Sequence, residues 1–274
     1  MKKFLYSVFM LAAVVLAACN NDDNGDTQPK RGMTLNASVE NLSSRATMTD
    51  ESGTWKFAFA VNDQVSVSNS KISNYYTFTN NGSQFTSAQA EATTENADWY
   101  AYFPGNEVDL TNQTGDFANV ANYFAVAGKT AQTTTGEKGL SITLKPKVAV
   151  LRIVKVDNYG PCDIYLKTAD GKYVSGLKAK KNEAGYEVET SDTKVSVFYK
   201  ESTGNAGIYY VIVPAGVKIS VYNTNDENHI KTTKAAGLTA GKYYTLTTGP
   251  TTGTETATLA DGTTETVDWV QLWI

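Results

Sequence analysis

Apolar and polar residues alternate in short runs along most of this chain, from residue 34 to residue 246. Trp55, Phe57 and Phe59 fall on one face of an extended segment, because successive side chains of a strand point to opposite sides. The run 148–156 is longer and almost continuously apolar, which indicates a central strand. The predicted strands are 34–39, 55–61, 65–67, 75–79, 99–103, 140–144, 148–156, 162–166, 195–199, 207–213, 217–222 and 243–246.

Turn residues separate these runs and set the expected domain organisation. Clusters of glycine, asparagine and aspartate lie between the strands, and no long amphipathic helix pattern occurs. Pro146 interrupts the chain just before its longest strand. The sequence therefore predicts an all-β protein of two tandem β-sandwiches, residues 33–145 and 146–250, each of ordinary size for that class.

The first residues have the features of a secretory signal. A basic start is followed by a short apolar run and then by Leu16-Ala17-Ala18-Cys19. That order is typical of a cleaved signal peptide, and the apolar run is shorter than a membrane span. We expect residues 1–18 to be a lipoprotein signal peptide, Cys19 to carry the lipid, and residues 19–32 to be a flexible acidic tether.

Composition argues against most kinds of catalytic or nucleic-acid site. The 274 residues carry a formal net charge of −4 with no basic stripe, so nucleic acid is not an expected partner. The chain has one histidine, His229, in a polar stretch expected to be a hairpin tip, and Cys162 is the only cysteine besides Cys19. A hydrolytic triad needs a histidine base, and a metal site needs several ligands. We expect no catalytic residues, no metal and no cofactor.

Aromatic residues suggest one alternative function. Six tryptophan and tyrosine residues, all in the first half of the chain, would form a sugar-stacking platform if they were exposed. The same residue types are also what half-buried strands are usually made of, and this is the interpretation that we favour. The six are Trp55, Tyr75, Tyr76, Trp99, Tyr100 and Tyr102.

Several segments taken together resemble a known family. The signal and tether lead to a first strand at 35–39 and then to Ser43-Ser44-Arg45-Ala46. The other matching segments are Phe59-Ala60-Val61-Asn62-Asp63-Gln64-Val65, Trp99-Tyr100-Ala101-Tyr102-Phe103-Pro104, Tyr209-Tyr210-Val211-Ile212-Val213-Pro214 and Leu238-Thr239-Ala240-Gly241-Lys242-Tyr243-Tyr244. In order and spacing they resemble the fimbrillin family of Bacteroidetes, the subunits of type V pili, over nearly the whole chain.

The resemblance implies a fold, a location and an assembly mechanism. Such subunits have two transthyretin-like sandwich domains and are exported as lipidated precursors. An Arg-specific protease then removes the N-terminal segment, and a strand of the next subunit fills the emptied groove. Carried onto this sequence, the resemblance implies cleavage between Arg45 and Ala46, with Arg31 as the competing position.

The tail, residues 251–274, is the candidate donor strand. Asp261-Gly262 between two alternating runs predicts a β-hairpin. Val270, Leu272 and Ile274 share one face of the last run, whereas Val267 and Trp269 share the other. We favour pairing of the tail within its own domain; donation to a neighbouring subunit, or continuation into a further domain, is the alternative.

We therefore expect a non-enzymatic, lipid-anchored protein of the outer membrane surface that acts as a pilus subunit or adhesin. Its expected partners are neighbouring subunits through strand addition, the membrane through its lipid, the maturation protease and a host or bacterial surface ligand. The alternative is a monomeric surface lipoprotein that binds glycans through exposed aromatic residues.

Overall fold

The computed structural model describes ten stretches of the chain. They are residues 31–40, 59–93, 96–132, 138–155, 162–200, 207–223, 226–232, 237–248, 255–258 and 264–267. Cys19, Arg45, Ala46 and Trp55 lie outside the described residues, as do Trp269, Val270, Leu272 and Ile274.

The described residues form nineteen strands and one short 3-10 helix. The first eight strands are β1 (Arg31–Val39), β2 (Gln64–Asn69), β3 (Tyr76–Asn80), β4 (Phe85–Glu91), β5 (Ala97–Phe103), β6 (Glu107–Asp109), β7 (Val126–Gln132) and β8 (Gly139–Pro146), with the 3-10 helix Phe117–Tyr123 between β6 and β7. The others are β9 (Val148–Lys155), β10 (Cys162–Thr168), β11 (Tyr173–Ala179), β12 (Tyr186–Ser191), β13 (Phe198–Lys200), β14 (Gly207–Pro214), β15 (Ile219–Asn223), β16 (Asp226–Thr232), β17 (Tyr243–Thr248), β18 (Glu255–Thr258) and β19 (Thr264–Val267). The predicted all-β class is confirmed.

The first seven-stranded sheet closes into a barrel. Its order is β1-β4-β3-β2-β5-β7-β8, and β1 completes the circle by pairing with both β4 and β8. We expected two separate layers here; in the structure the edges of the layers are joined, because β1 bonds to a strand on each side. β4 pairs with the first part of β1, as far as Leu35, and β8 pairs with the later part, Thr34 to Val39. β1 thus joins the two edges of the sheet, where strands of other chains could otherwise add.

The second half forms two sheets and a separate hairpin. One sheet has the order β12-β11-β10-β15-β16, and β6 and β13 pair with β11 and β10 beside it. The other has the order β14-β9-β17, and its central strand is the long apolar β9 that the sequence predicts. The remaining strands, β18 and β19, pair with each other, which confirms the predicted hairpin for residues 255–258 and 264–267.

One continuous apolar core runs through the barrel and the two sheets that follow it. Strand alternation creates it: in β8 the buried positions are Leu140, Ile142 and Leu144, with exposed residues between them. β5 is buried on both faces, because its outer side is covered by the hairpin β11–β12.

The segment between β5 and β7 leaves the barrel and crosses to the second half of the chain. There β6 pairs with β11, Val108 opposite Leu177. Further along, the 3-10 helix packs on β14, with the rings of Phe117 and Tyr210 4.9 Å apart. We call this segment, residues 104–125, the strap. It contacts strands on both sides of residue 146, where the sequence predicts a domain boundary; that boundary stays a prediction.

Three local expectations differ from the structure. Residues 59–61 of the predicted strand 55–61 are not in a strand, because the chain turns at Val61 and Asn62 just before β2. The first strand begins at Arg31, so Arg31 and Gly32 belong to β1 and not to the expected tether. His229 lies in β16 and not at a hairpin tip, because β16 begins at Asp226, which pairs with Asn223 at the end of β15.

Candidate functional site: the first strand and its groove

The backbone of β1 pairs with β4 along its first part and with β8 along its later part, and the two ladders overlap at Thr34 and Leu35. Towards β8 the pairing is parallel and in register over six residues, from Thr34 opposite Gly139 to Val39 opposite Leu144. Towards β4 it is antiparallel, with Leu35 opposite Phe85. These bonds involve peptide groups only, so they are available to any extended segment of chain.

The side chains of β1 alternate in step with those of its neighbour β8. Leu35 is opposite Leu140, Ala37 opposite Ile142 and Val39 opposite Leu144. Met33 and Leu35 are buried, whereas Asn36 and Ser38 are exposed. Burial of a side chain of this size stabilises a fold by about 1.5–3 kcal/mol, so the inner face of β1 makes a large contribution to the barrel.

The C-terminal end of β1 is held by two further contacts. The backbone N–H of Glu40 donates to the carbonyl oxygen of Leu144 at 2.8 Å. The Lys145 ammonium lies 2.8 Å from the Glu40 carboxylate, and both side chains are largely exposed. Arg45 follows five residues later, outside the described residues, whereas the competing Arg31 is inside β1 and opposite Glu91.

The aromatic platform suggested by the sequence is not present as an exposed surface. Trp99, Tyr100 and Tyr102 are buried, and Tyr75 and Tyr76 are half-buried. Trp55, the sixth of these residues, lies outside the described stretches. Trp99, Tyr100 and Tyr102 belong to β5 and are buried because this strand is covered on both sides.

A tyrosine contact joins the outside of the barrel to the second sheet. The Tyr102 hydroxyl lies 2.9 Å from the carbonyl oxygen of Lys180 and 2.7 Å from that of Glu183, so the two acceptors share its one proton. The Tyr186 hydroxyl donates to the carbonyl oxygen of Gly105 at 2.7 Å. Burial raises the pKa of both phenols above the ordinary value for tyrosine, so both stay neutral hydrogen-bond donors.

Gln113 of the strap is a key residue that sequence reasoning missed. It is buried, and its side chain accepts from the N–H of Ile212 at 2.7 Å and donates to the carbonyl oxygen of the same residue at 2.9 Å. Two residues on, the carbonyl of Gly115 accepts from the N–H of Tyr210 at 2.8 Å. The strap therefore bonds along the edge of β14 that faces away from β9.

Local backbone shape lets the strap approach β14 this closely. Gly115 has a φ of +77°, a region that favours glycine, and a Cβ there would lie 2.3 Å from the ring of Phe198. No periodic pattern marks residues 110–116, so neither Gln113 nor Gly115 could be selected from the sequence.

The tail is described only in part. Val267 ends β19, opposite Glu255 of β18, and the other four donor candidates lie beyond it. Among the described residues, no group of histidine, cysteine or carboxylate side chains is arranged to hold a metal ion. The described stretches also contain no helix of the length and apolar character needed to cross a membrane.

No protein-family model matches the sequence, and no curated protein matches it. Among solved structures, the chain is similar to a "putative cell adhesion protein" from Bacteroides uniformis, with a TM-score of 0.45, 12% identity, and coverage of 88% of this chain and 98% of that one. A protein of the same description from Bacteroides ovatus has a TM-score of 0.44 and 11% identity, over 90% of this chain and 99% of that one.

A fimbrial protein from Bacteroides ovatus is also similar, with a TM-score of 0.33 and 15% identity, over 86% of this chain and 54% of that one. All three similarities are at low sequence identity.

Proposed function

We propose that this protein is a non-enzymatic cell-surface subunit of the fimbrillin type, a pilus subunit or adhesin, which assembles by exchange of its first strand. The observation that carries the proposal is that β1 completes the barrel from a position near the N-terminus, ahead of Arg45. Cleavage after Arg45 would separate β1 covalently from the rest of the barrel. A strand from another subunit would then replace it.

The groove between β4 and β8 is suited to such an exchange. Its peptide groups need an extended partner, and its apolar lining at Leu140, Ile142 and Leu144 needs side chains that alternate in step. Neither requirement specifies one particular sequence, so an alternating segment of another subunit would satisfy both.

The positions of Arg31 and Arg45 relative to β1 favour Arg45 as the cleavage site. A cut after Arg31 would leave almost all of β1 attached to the barrel. The backbone of Arg31 is also part of the strand, opposite Glu91 of β4. A cut between Arg45 and Ala46 falls after the last described contact of this segment, the bond from Glu40 to Leu144. We therefore propose Arg45 as the maturation site.

The tail offers the matching donor. Val270, Leu272 and Ile274 alternate in the manner of Leu35, Ala37 and Val39. Val267 and Trp269 lie on the opposite face of the same run and would cover the outside of the recipient barrel. Pairing of the tail within its own domain is the competing arrangement.

Cys19 completes the proposal as a temporary anchor. Lipid on Cys19 would hold the precursor at the outer membrane surface, and cleavage at Arg45 would release the subunit from the lipid together with β1. An uncleaved subunit would stay anchored.

The test is to treat purified precursor with an Arg-specific protease and examine the product by electron microscopy and mass spectrometry. We expect filaments whose subunits begin at Ala46. The matched variants are Arg45→Lys, which keeps the charge but removes the cleavage site, and Arg31→Lys. Filaments should be lost in the first variant and retained in the second; filaments from Arg45→Lys protein would refute the proposed maturation.

A further inference from the structure

A cluster of tyrosine and lysine side chains covers the face of the second sheet that points away from the core. In β10, Ile164 and Leu166 belong to the core, so the alternating residues Tyr165 and Lys167 lie on the opposite face. Tyr173 of β11 is opposite Lys167, and Tyr222 of β15 is opposite Tyr165. We call this surface the tyrosine face: Tyr165, Lys167, Tyr173, Lys194 and Tyr222.

The rings and the ammonium groups of the tyrosine face are in direct contact. The rings of Tyr165 and Tyr222 stack 5.4 Å apart at an interplanar angle of 7°. The Lys167 ammonium lies 4.7 Å from the Tyr173 ring centre and 4.8 Å from that of Tyr222. The Lys194 ammonium lies 4.3 Å from the centre of the Tyr165 ring. Aromatic surface and positive charge are therefore concentrated on a few neighbouring side chains.

The hydroxyl group of Tyr165 gives a second, independent indication of a ligand. Tyr165 is fully buried, and among the residues that the structure describes its hydroxyl has no hydrogen-bond partner. A buried hydroxyl without a partner is destabilising, and such groups are rare in folded proteins. A ligand on this face would supply the missing partner.

We propose that the tyrosine face binds an acidic saccharide, a sugar that carries a carboxylate or sulfate group. Tyrosine rings pack against the apolar faces of sugar rings, and lysine ammonium groups form charge-assisted hydrogen bonds with the acidic group. Two lysines fit one or two anionic groups and not a long polyanion, which the net charge of −4 would also repel.

Movement of the Lys194 side chain would give the ligand access to Tyr165. Its side chain is exposed and lies in the loop after β12, and a cation over an aromatic ring at an exposed site is weakly held. The ammonium group moves from the ring to the incoming anion, and this movement uncovers Tyr165. The proposal does not depend on strand exchange, since none of these residues lies in β1, β4 or β8.

The test is calorimetric titration of the purified protein with saccharides that differ in their acidic group. The probes are trigalacturonic acid against galactotriose, sialyllactose against lactose, and a sulfated heparin tetrasaccharide. We expect at least one acidic probe to bind about tenfold or more tightly than its neutral counterpart, and the probe that binds identifies the class of acid.

Three variants locate the binding. Lys194→Met should weaken binding about tenfold, whereas Lys129→Met, the same change on the barrel, should leave it unaltered. Tyr165→Phe removes only the hydroxyl; it should leave the midpoint of thermal unfolding equal or higher and weaken binding several-fold. The proposal is overturned if no acidic probe binds, if neutral probes bind equally well, or if Lys194→Met and Tyr165→Phe bind like the wild type.

Discussion

β1 and the strap each bond along the edge of a strand, but by different chemistry. β1 pairs with its neighbours through peptide groups and an alternating apolar face, which many sequences share. The strap covers the edge of β14 chiefly with the side chain of Gln113, whose oxygen accepts from the N–H of Ile212 and whose nitrogen donates to the carbonyl oxygen of the same residue and to that of Leu110. The first arrangement can be supplied by another chain, whereas the second requires a particular amide at a particular place.

The difference suggests why only one of these edges is suited to assembly. A strand that is held by generic pairing can be exchanged without redesign of the groove, because the replacement forms the same bonds. An edge that is blocked by a specific side chain is protected against unwanted strand addition. Three substitutions test this contrast and a fourth tests the Tyr102 contact on the outside of the barrel; they follow from the largest expected effect to the smallest.

Leu35→Asp should have the largest effect. It places a charge in the fully buried position opposite Leu140 and Phe85, and we expect a loss of about 4 kcal/mol or more in the free energy of unfolding. Urea unfolding of the variant and the wild type measures this loss. The matched control is Asn36→Asp, one residue away on the exposed face of β1, which should change stability by less than about 0.5 kcal/mol. Equal effects at the two positions would contradict the burial of β1.

Gln113→Leu should be the next most damaging change. It leaves the N–H and carbonyl of Ile212 without their partner, and the loss should be about 2–3 kcal/mol. Hydrogen exchange at the Ile212 amide should accelerate in the variant. Gln113→Glu keeps an acceptor but loses the donor and buries a charge, so its free energy of unfolding should be no higher than that of Gln113→Leu. A wild-type exchange rate in Gln113→Leu would show that the amide does not protect this edge.

Tyr102→Phe should cost about 1–2 kcal/mol at neutral pH, because it removes the hydroxyl whose one proton is shared by the carbonyl oxygens of Lys180 and Glu183. Burial raises the pKa of Tyr102 in the folded protein, so the stabilisation from this phenol is complete below the unfolded pKa of about 10 and decreases as the pH rises above it. The wild type should therefore lose more stability than the variant between pH 9 and pH 11. The exposed Tyr199→Phe is the control; if it alters the alkaline profile as much as Tyr102→Phe, the assignment is wrong.

Lys145→Met should have the smallest effect of the four. The ion pair with Glu40 is short, but both side chains are largely exposed, so its loss should cost no more than about 0.5 kcal/mol and should disappear at high salt. Thermal unfolding at low and high ionic strength measures this. A larger loss that persists at high salt would mean that β1 is held by this contact and not by generic pairing.

The sequence predicted those features that depend on local pattern. Alternation in 140–144 marked β8, and the long run from Val148 marked the central strand β9. Asp261-Gly262 correctly indicated the hairpin of β18 and β19. Alternation also showed which side of 35–39 is apolar, but it could not show that β1 pairs with strands about fifty and a hundred residues away.

Features that depend on distant contacts were not visible. Tyr100 and Tyr102 are buried because a hairpin some eighty residues later covers them, and no pattern near β5 indicates this. Gln113 lies in a segment without periodicity, and its role depends on the edge of β14. The tyrosine face needs β10, β11 and β15 side by side, so its residues are scattered in the sequence.

The N-terminus of subunits in assembled material tests the central claim most directly. Filaments or sheared surface material should be digested and analysed by mass spectrometry for the first residue of the subunit. The account predicts a start at Ala46, with β1 and the lipid at Cys19 both absent from the polymer. Polymerised subunits that begin at lipidated Cys19 and retain β1 would contradict it.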